Sequence, residues 1–354
     1  MPSPPVAIFA LLMPTRSMSA RKFLLAGLAA ALLPACNTDL DVTAPYQENT
    51  IVYGLLDKDS TTQYLRINKA FLGPDNALVY AQVPDSSEYQ EGQLQAEVQE
   101  VKNGVVMNTY TLQDTLLPHD PGIFAGPLHK LYYFNATLDS SATYRLVATA
   151  KGNAVSAVAS PVGWIAAHPT ILNPPLRLTQ SIGDYTAKVI RWQSAVNGKR
   201  YDISYRFRWD DVVGGDTIPR SFTQFIGTVL STGTGGGESM NVTMEGEAFF
   251  QTVGLRAGDN PNATRRIFRG VDILWAVAGQ DLYNYLRLSS PISGLVEERP
   301  TYTNITNGLG LLSSRRFMVV VKPTLDLYTI PELVQGQYTA SLNFCIPGSD
   351  FDCN

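Results

Sequence analysis

The chain has 354 residues, with 27 Lys and Arg against 31 Asp and Glu, a formal charge of −4. That balance excludes nucleic-acid binding by bulk electrostatics, which needs a basic surface to displace counterions. Charged residues make up only 16% of the chain and are accompanied by 17 Tyr, 28 Gly and 22 Pro. Such a composition favours a turn-rich β protein whose surface is polar rather than ionic.

At the N-terminal end, Arg21-Lys22 precede an apolar run from Phe23 to Leu33, which leads into Leu33-Pro34-Ala35-Cys36. A cationic start, a short apolar stretch and a small residue make a secretory signal. A membrane-spanning helix needs about 20 apolar residues, so this run reads as a signal core and not as an anchor. A buried helix of the mature fold is the alternative. Met18 lies just ahead of the cationic pair, so residues 1–17 read as an upstream extension and residues 1–35 as the signal. Leu33-Pro34-Ala35-Cys36 resembles the bacterial lipobox, which implies cleavage before Cys36 and acylation of that cysteine. One acyl chain holds only reversibly, so stable anchoring requires several. Residues 36–45 read as a lipidated tether. The acids Asp39 and Asp41 close behind the cysteine resemble the surface-export signals of Bacteroidota lipoproteins. Without residues 1–35 the chain keeps 24 basic against 31 acidic residues, a formal charge of −7.

Beyond the tether, period-two alternation dominates. Strands are expected at Thr50 to Leu56 and Gln63 to Ala70. Leu94, Ala96 and Val98 lead into Asn103-Gly104, a strong hairpin turn because both positions tolerate positive φ, and Val105 to Leu112 returns. Tyr144, Leu146, Ala148 and Ala150 alternate, turn at Lys151-Gly152-Asn153, and come back through Val155, Ala157 and Ala159. Pro161, Pro169, Pro174 and Pro175 then mark a boundary with no strand of its own. Further strands are expected at Ala187 to Gln193, Tyr201 to Trp209, Phe222 to Leu230, Met240 to Met244, Val271 to Ala278 and Phe317 to Lys322. Gly279 to Leu288 is the one helix expected, since Leu282, Tyr285 and Leu286 share a face and Asp281 suits the first turn. The fold class is therefore all-β, with two β-sandwich-like domains, 46–162 and 170–354, and one short helix in the second. Crossover helices for a parallel α/β enzyme are missing between the strands.

Cys345 and Cys353 fall in the last ten residues, and an oxidising compartment permits a disulfide between them. A metal site is the alternative, but two thiolates with no histidine nearby make a poor zinc cage.

Gly126-Pro127, Tyr132-Tyr133-Phe134, Tyr144-Arg145-Leu146-Val147, Val155-Ser156-Ala157, Asp281-Leu282-Tyr283-Asn284-Tyr285-Leu286 and Tyr302-Thr303-Asn304-Ile305-Thr306-Asn307-Gly308-Leu309-Gly310 span most of the mature chain. In these segments the chain resembles a broad group of uncharacterised Bacteroidota outer-membrane lipoproteins. The resemblance implies an immunoglobulin-like or transthyretin-like N-terminal domain and a C-terminal β domain. It further implies an accessory role beside an outer-membrane transporter.

Hydrolysis wants a tuned base beside a nucleophile, or a pair of carboxylates. His119-Asp120 and His129 invite a shared metal, with exposed loop histidines as the plainer reading; His168 stands apart. Thr232 to Gly237 is glycine-rich like a phosphate cradle, but no Lys-Ser or Lys-Thr follows, so it reads as a hairpin tip. Asp210, Asp211 and Asp216 offer oxygen ligands for calcium but lack a calcium-loop spacing and read as a solvated turn. Asp59-Ser60-Thr61, Asp114-Thr115-Leu116 and Asp216-Thr217-Ile218 look like Bacteroidota O-glycosylation triplets. The candidate ligand loop is Tyr302 to Gly310. Tyr302 can stack, Asn304 and Asn307 can hydrogen-bond a sugar or a peptide backbone, and Gly308 and Gly310 permit close approach; an ordinary loop with positive-φ glycines is the alternative.

No cofactor, catalytic residue or metal ligand is assigned from sequence. The leading expectation is a non-enzymatic binding or accessory module, joined to the membrane through Cys36, with an outer-membrane transporter as partner and no nucleic acid. A glycan or peptide hydrolase with dispersed carboxylates is the rival, because β-sandwich sites assemble from distant strands. A structural envelope subunit is the third reading.

Overall fold

The strand Arg200–Val213 shows how the sequence builds its sheets. Tyr201, Ile203, Tyr205, Phe207 and Trp209 are buried, while Asp202, Ser204, Arg206 and Arg208 lie half-exposed on the other face. The computed structural model describes residues 49–70, 77–172, 175–289, 301–322 and 324–353. The expected signal, Cys36 and its tether lie outside the described residues.

In chain order the elements are β1 (Thr50–Asp57), β2 (Thr62–Lys69), α1 (Ala77–Ala81), α2 (Pro84–Ser87), β3 (Leu94–Lys102), β4 (Val105–Thr111), β5 (Gln113–Pro118), β6 (Leu128–Asn135), β7 (Thr143–Ala150) and β8 (Asn153–Ala159). They continue with β9 (Ala166–Ala167), α3 (Pro169–Leu172), β10 (Thr179–Ser181), β11 (Asp184–Tyr185), β12 (Ala187–Gln193), β13 (Arg200–Val213), β14 (Asp216–Leu230) and β15 (Ser239–Glu245). Last come α4 (Gly246–Ala257), β16 (Arg265–Ala278), α5 (Gln280–Ser289), β17 (Gly308–Lys322), α6 (Thr329–Gln335) and β18 (Phe344–Cys345). Both expected hairpins form. Asn103 and Gly104 turn β3 into β4, and Lys151 and Gly152 turn β7 into β8, all four residues at positive φ.

One large sheet runs β14-β13-β16-β17-β1-β2-β6-β5, with β18 beside β16. Two cores pack against it, so the fold is all-β and sandwich-like. In the first, Val52, Leu56, Leu65, Ile67 and Phe134 of the large sheet face Val98, Tyr144, Leu146, Val155 and Ala157 of the four-stranded sheet β4-β3-β7-β8. In the second, the buried face of β13 and β16 meets Ile190, Trp192, Met240 and Met244 of the sheet β15-β12-β9 and Phe249, Phe250 and Val253 of α4. Phe207 lies at its centre, with five rings, those of Trp209, Phe222, Phe249, Phe268 and Phe344, at centroid distances of 5.5 to 5.9 Å. Aromatic pairs of this kind add about 0.5–1.5 kcal/mol each beyond the area they bury.

The proline-marked boundary separates the two cores but not the large sheet, which is continuous because β1 pairs with β17 in parallel. Ile305 and Leu312, from the C-terminal half, belong to the first core. Among the described residues α5 matches the expected helix, while α1, α2, α3, α4 and α6 go beyond the single helix expected. α4 contains Gly246 and Gly254, has no side-chain N-cap and buries adjacent Phe249 and Phe250. None of these features marks a helix in sequence. The segment Thr232 to Gly237 connects β14 to β15, which lie in different sheets, so it is not a hairpin tip. Cys345 and Cys353 are joined in a disulfide. Among the described residues no helix is long and apolar enough to cross a membrane.

Candidate functional site

The outward face of β1 departs from the usual wet side of a strand. Ile51, Tyr53 and Leu55 lie opposite the buried Val52 and Leu56, so neither face is polar. Cross-strand partners share a face, and register sets Leu311 of β17, Tyr53 of β1 and Arg66 of β2 in one row, with Tyr64 opposite Tyr133 of β6 nearby. Helix α5 packs beside this row. The Tyr285 ring meets Tyr53 edge-on at 6.4 Å, and Leu311 is buried.

The result is a cleft of about 460 Å³, lined by Tyr53, Leu55, Asp57, Tyr64, Arg66, Tyr285 and Arg315 among others. Its volume suits a small ligand. Burial, and then the neighbouring Tyr285, push the Tyr53 phenol up from its ordinary value, so it stays neutral and able to donate near pH 7. Asp57 is the one carboxylate among the described lining residues.

The candidate loop Tyr302 to Gly310 braces the helix and the strand that border this cleft. The Tyr302 hydroxyl donates to Asp281 Oδ1 at 2.5 Å, in the first turn of α5, and the Leu282 N–H donates to Ser313 Oγ at 3.0 Å. These contacts fix the helix end against β17. Asn304 donates from Nδ2 to Leu312 O at 2.7 Å and accepts at Oδ1 from Leu312 N at 2.9 Å. Asn307, at φ 56°, donates from Nδ2 to Ala154 O. Gly308 and Gly310 open β17 itself, where a side chain would strike Thr50 O and Val52 O of β1. The glycines therefore serve the approach of two strands, and the side-chain amides of both asparagines bond main-chain groups. Tyr302, Asn304, Asn307, Gly308 and Gly310 do not line the cleft.

The histidines divide as their loops do. His119 and His129 are brought together, ring centroids 5.2 Å apart, beside a hollow of about 90 Å³ that also touches Arg66, Glu88 and Phe124. Both ring nitrogens of His119 face main-chain oxygens, of Asp120 at 2.6 Å and Ala125 at 2.9 Å, acceptors that leave neither nitrogen turned toward a metal. Burial, and then the charge of Arg66, push the His129 imidazole down. His168 is far along the chain and bonds Thr170. Among the described residues no group of three or more His, Cys, Asp or Glu could hold a metal ion.

Asp210 and Asp211 are not a solvated turn. Asp210 pairs with Arg269 at 2.6 Å. Asp211 is buried and accepts from Trp209 Nε1 and Asn260 Nδ2, both at 2.8 Å, with Arg220 at 3.3 Å and Arg266 at 3.5 Å. A carboxylate so surrounded by donors is a structural anchor. Asp216 stands exposed at the tip of the β13–β14 hairpin.

No family model and no curated protein matches the chain. Among solved structures it is similar to the C-terminal globular domain of an oligosaccharyltransferase from Pyrococcus abyssi. The identity is 14%, over 64% of this chain and 42% of that chain, with a TM-score of 0.24.

Proposed function

We propose that the protein is an envelope-anchored lipoprotein whose β body is a non-enzymatic binding or accessory module. Lipid on Cys36 would hold it at the outer membrane, on the periplasmic face or the cell surface. The observation that carries the binding part is the tyrosine-lined cleft between β1, β2 and α5. Its lining is aromatic and cationic. A hydrolase using two carboxylates needs them about 5 to 9 Å apart, and Asp57 is the one carboxylate among the described residues of the lining. The lipobox at Leu33 to Cys36 and the resemblance to Bacteroidota lipoproteins support the anchoring part.

The accessory reading has its own support. Phe317, Val319 and Val321 of β17 are each about half-exposed on the outward face that also carries Arg315. Contiguous apolar surface of this kind marks protein contacts. The test is capture of the native lipoprotein from detergent-solubilised outer membranes, with Cys36→Ala alongside. The expected outcome is loss of acylation and of membrane retention in the variant, together with loss of a stoichiometric transporter partner. A Cys36→Ala protein that stays on the membrane, or a wild-type preparation that turns over a substrate without a partner, would sink the reading.

A further inference from the structure

We propose that the tyrosine-lined groove holds an acidic oligosaccharide, a chain of sugar rings bearing carboxylates. The inference rests on the binding-module reading and names the ligand class of its cleft. The cleft of about 460 Å³ and a hollow of about 450 Å³ share Tyr53 and Arg66, so the two adjoin across the outward face of β1 and β2, and the pair is called the groove. Most of the floor backbone is taken up by pairing: β1 pairs with β17 along its whole length and with β2 from Thr50 to Gly54, and β2 pairs with β6 from Thr62 to Leu65. Along most of the floor a ligand is therefore read through side chains, and where Arg66 to Lys69 of β2 pair with β1 alone the oligoglutamate control tests strand addition.

Those side chains are of two kinds. Tyr53, Tyr64 and Phe124 are 44, 44 and 42% exposed and present ring surfaces to the groove. A pyranose ring offers a face of C–H bonds to such a surface and a rim of hydroxyls to the tyrosine hydroxyls. The other kind is cationic. Arg66 and Arg315 make no ion pair among the described residues. Each guanidinium lies over a ring instead, 5.7 Å from the Phe124 centroid and 5.3 Å from that of Phe317. Arg66 and Arg315 stand in the groove against Asp57, the one carboxylate among its described lining residues, opposite in sign to the chain's net −4. Arg66 Nε donates to the neutral Asn68 Oδ1 at 3.1 Å, so neither arginine has a carboxylate partner among the described residues; a uronate supplies the carboxylate that a guanidinium binds in a paired, charge-assisted fashion.

The test titrates the full-length lipoprotein in detergent with an oligogalacturonate, a neutral malto-oligosaccharide of equal length and an oligoglutamate. The expected result is saturable binding of the uronate in preference to both controls, weakening as salt rises. Affinity is expected to fall about tenfold in Arg66→Gln and again in Arg315→Gln, and to be lost in Tyr53→Ala. All three side chains reach the surface, and circular dichroism checks that the variants fold. Equal binding of the neutral chain, preference for the oligoglutamate, or uronate binding unchanged in the double arginine variant overturns the assignment. Failure to bind any saccharide does so too, while the membrane capture with Cys36→Ala reads the anchored-module proposal separately.

Discussion

Gly310→Ala is the most demanding test of the joint between β1 and β17. Gly310 pairs with Val52 at φ +109°, a region that side-chain-bearing residues rarely adopt. That conformation alone costs about 1–3 kcal/mol for a non-glycine residue. A Cβ at this position would also lie 2.0 Å from Val52 O and 2.9 Å from Val52 C. A backbone atom cannot rotate away, so the strands must separate, and Val52 and Leu312, both fully buried in the first core, lose their packing. The expected destabilisation is about 4 kcal/mol or more. Gly237→Ala is the control. Its φ is +79° but nothing lies within 4 Å of a Cβ there, so only the conformational part, about 1–2 kcal/mol, should be lost. Urea denaturation gives both values, and amide exchange in β1 reports where the loss falls. A midpoint for Gly310→Ala no lower than that for Gly237→Ala would refute the steric argument.

Four further outcomes are expected. Glu332 is fully buried, accepting from Gly183 N at 2.8 Å and Tyr185 Oη at 2.7 Å, so Glu332→Ala should lower stability by about 2–3 kcal/mol in calorimetry. Burial pushes the phenols of Tyr132, Tyr144, Tyr201 and Tyr205 up to about 12, against about 10 for an exposed tyrosine. Because these folded values are raised, the folded protein holds those protons more tightly. Their contribution is complete below pH 10 and disappears as pH rises from 10 to 12. Ultraviolet titration should show a late tyrosinate step that coincides with loss of near-ultraviolet dichroism, and a smooth native titration centred near pH 10 would contradict this. Replacing Cys345 and Cys353 by serine opens a short loop and should cost about 2 kcal/mol by denaturation, with little effect at the cleft. Tyr302→Phe removes the bond to Asp281, and exchange in α5 should quicken by a factor matching about 1 kcal/mol.

Much of the scaffold is legible because local chemistry dictates it. Asn103-Gly104 and Lys151-Gly152 place two hairpins within a residue, and alternation from Tyr201 to Trp209 identifies both faces of β13. What escapes is non-local. The pairing of Thr50 with Gly308 has no signature in either segment, and it turns the apparent loop from Gly308 into the first residues of a fifteen-residue strand. The cleft escapes for the same reason, since it joins side chains of β1, β2, β17 and α5. A signal was nevertheless present: β1 carries apolar residues at every position from Ile51 to Leu56, so a strand without a wet face asked what covers its second side. The tyrosine, asparagines and glycines of the candidate loop are visible in sequence, whereas their contacts with α5, β1 and β17 are not.

The parallel seating of β1 also has a mechanical meaning. A pull on residue 49 along the strand axis loads two ladders at once, to β2 on one side and to β17 on the other. Their hydrogen bonds lie across the direction of force and must rupture together in shear, whereas an edge strand such as β5 or β14 can be unzipped one bond at a time. The end of the body nearest the proposed tether is thus gripped from both sides, so that tension reaching it through the tether is shared by strands from both ends of the chain.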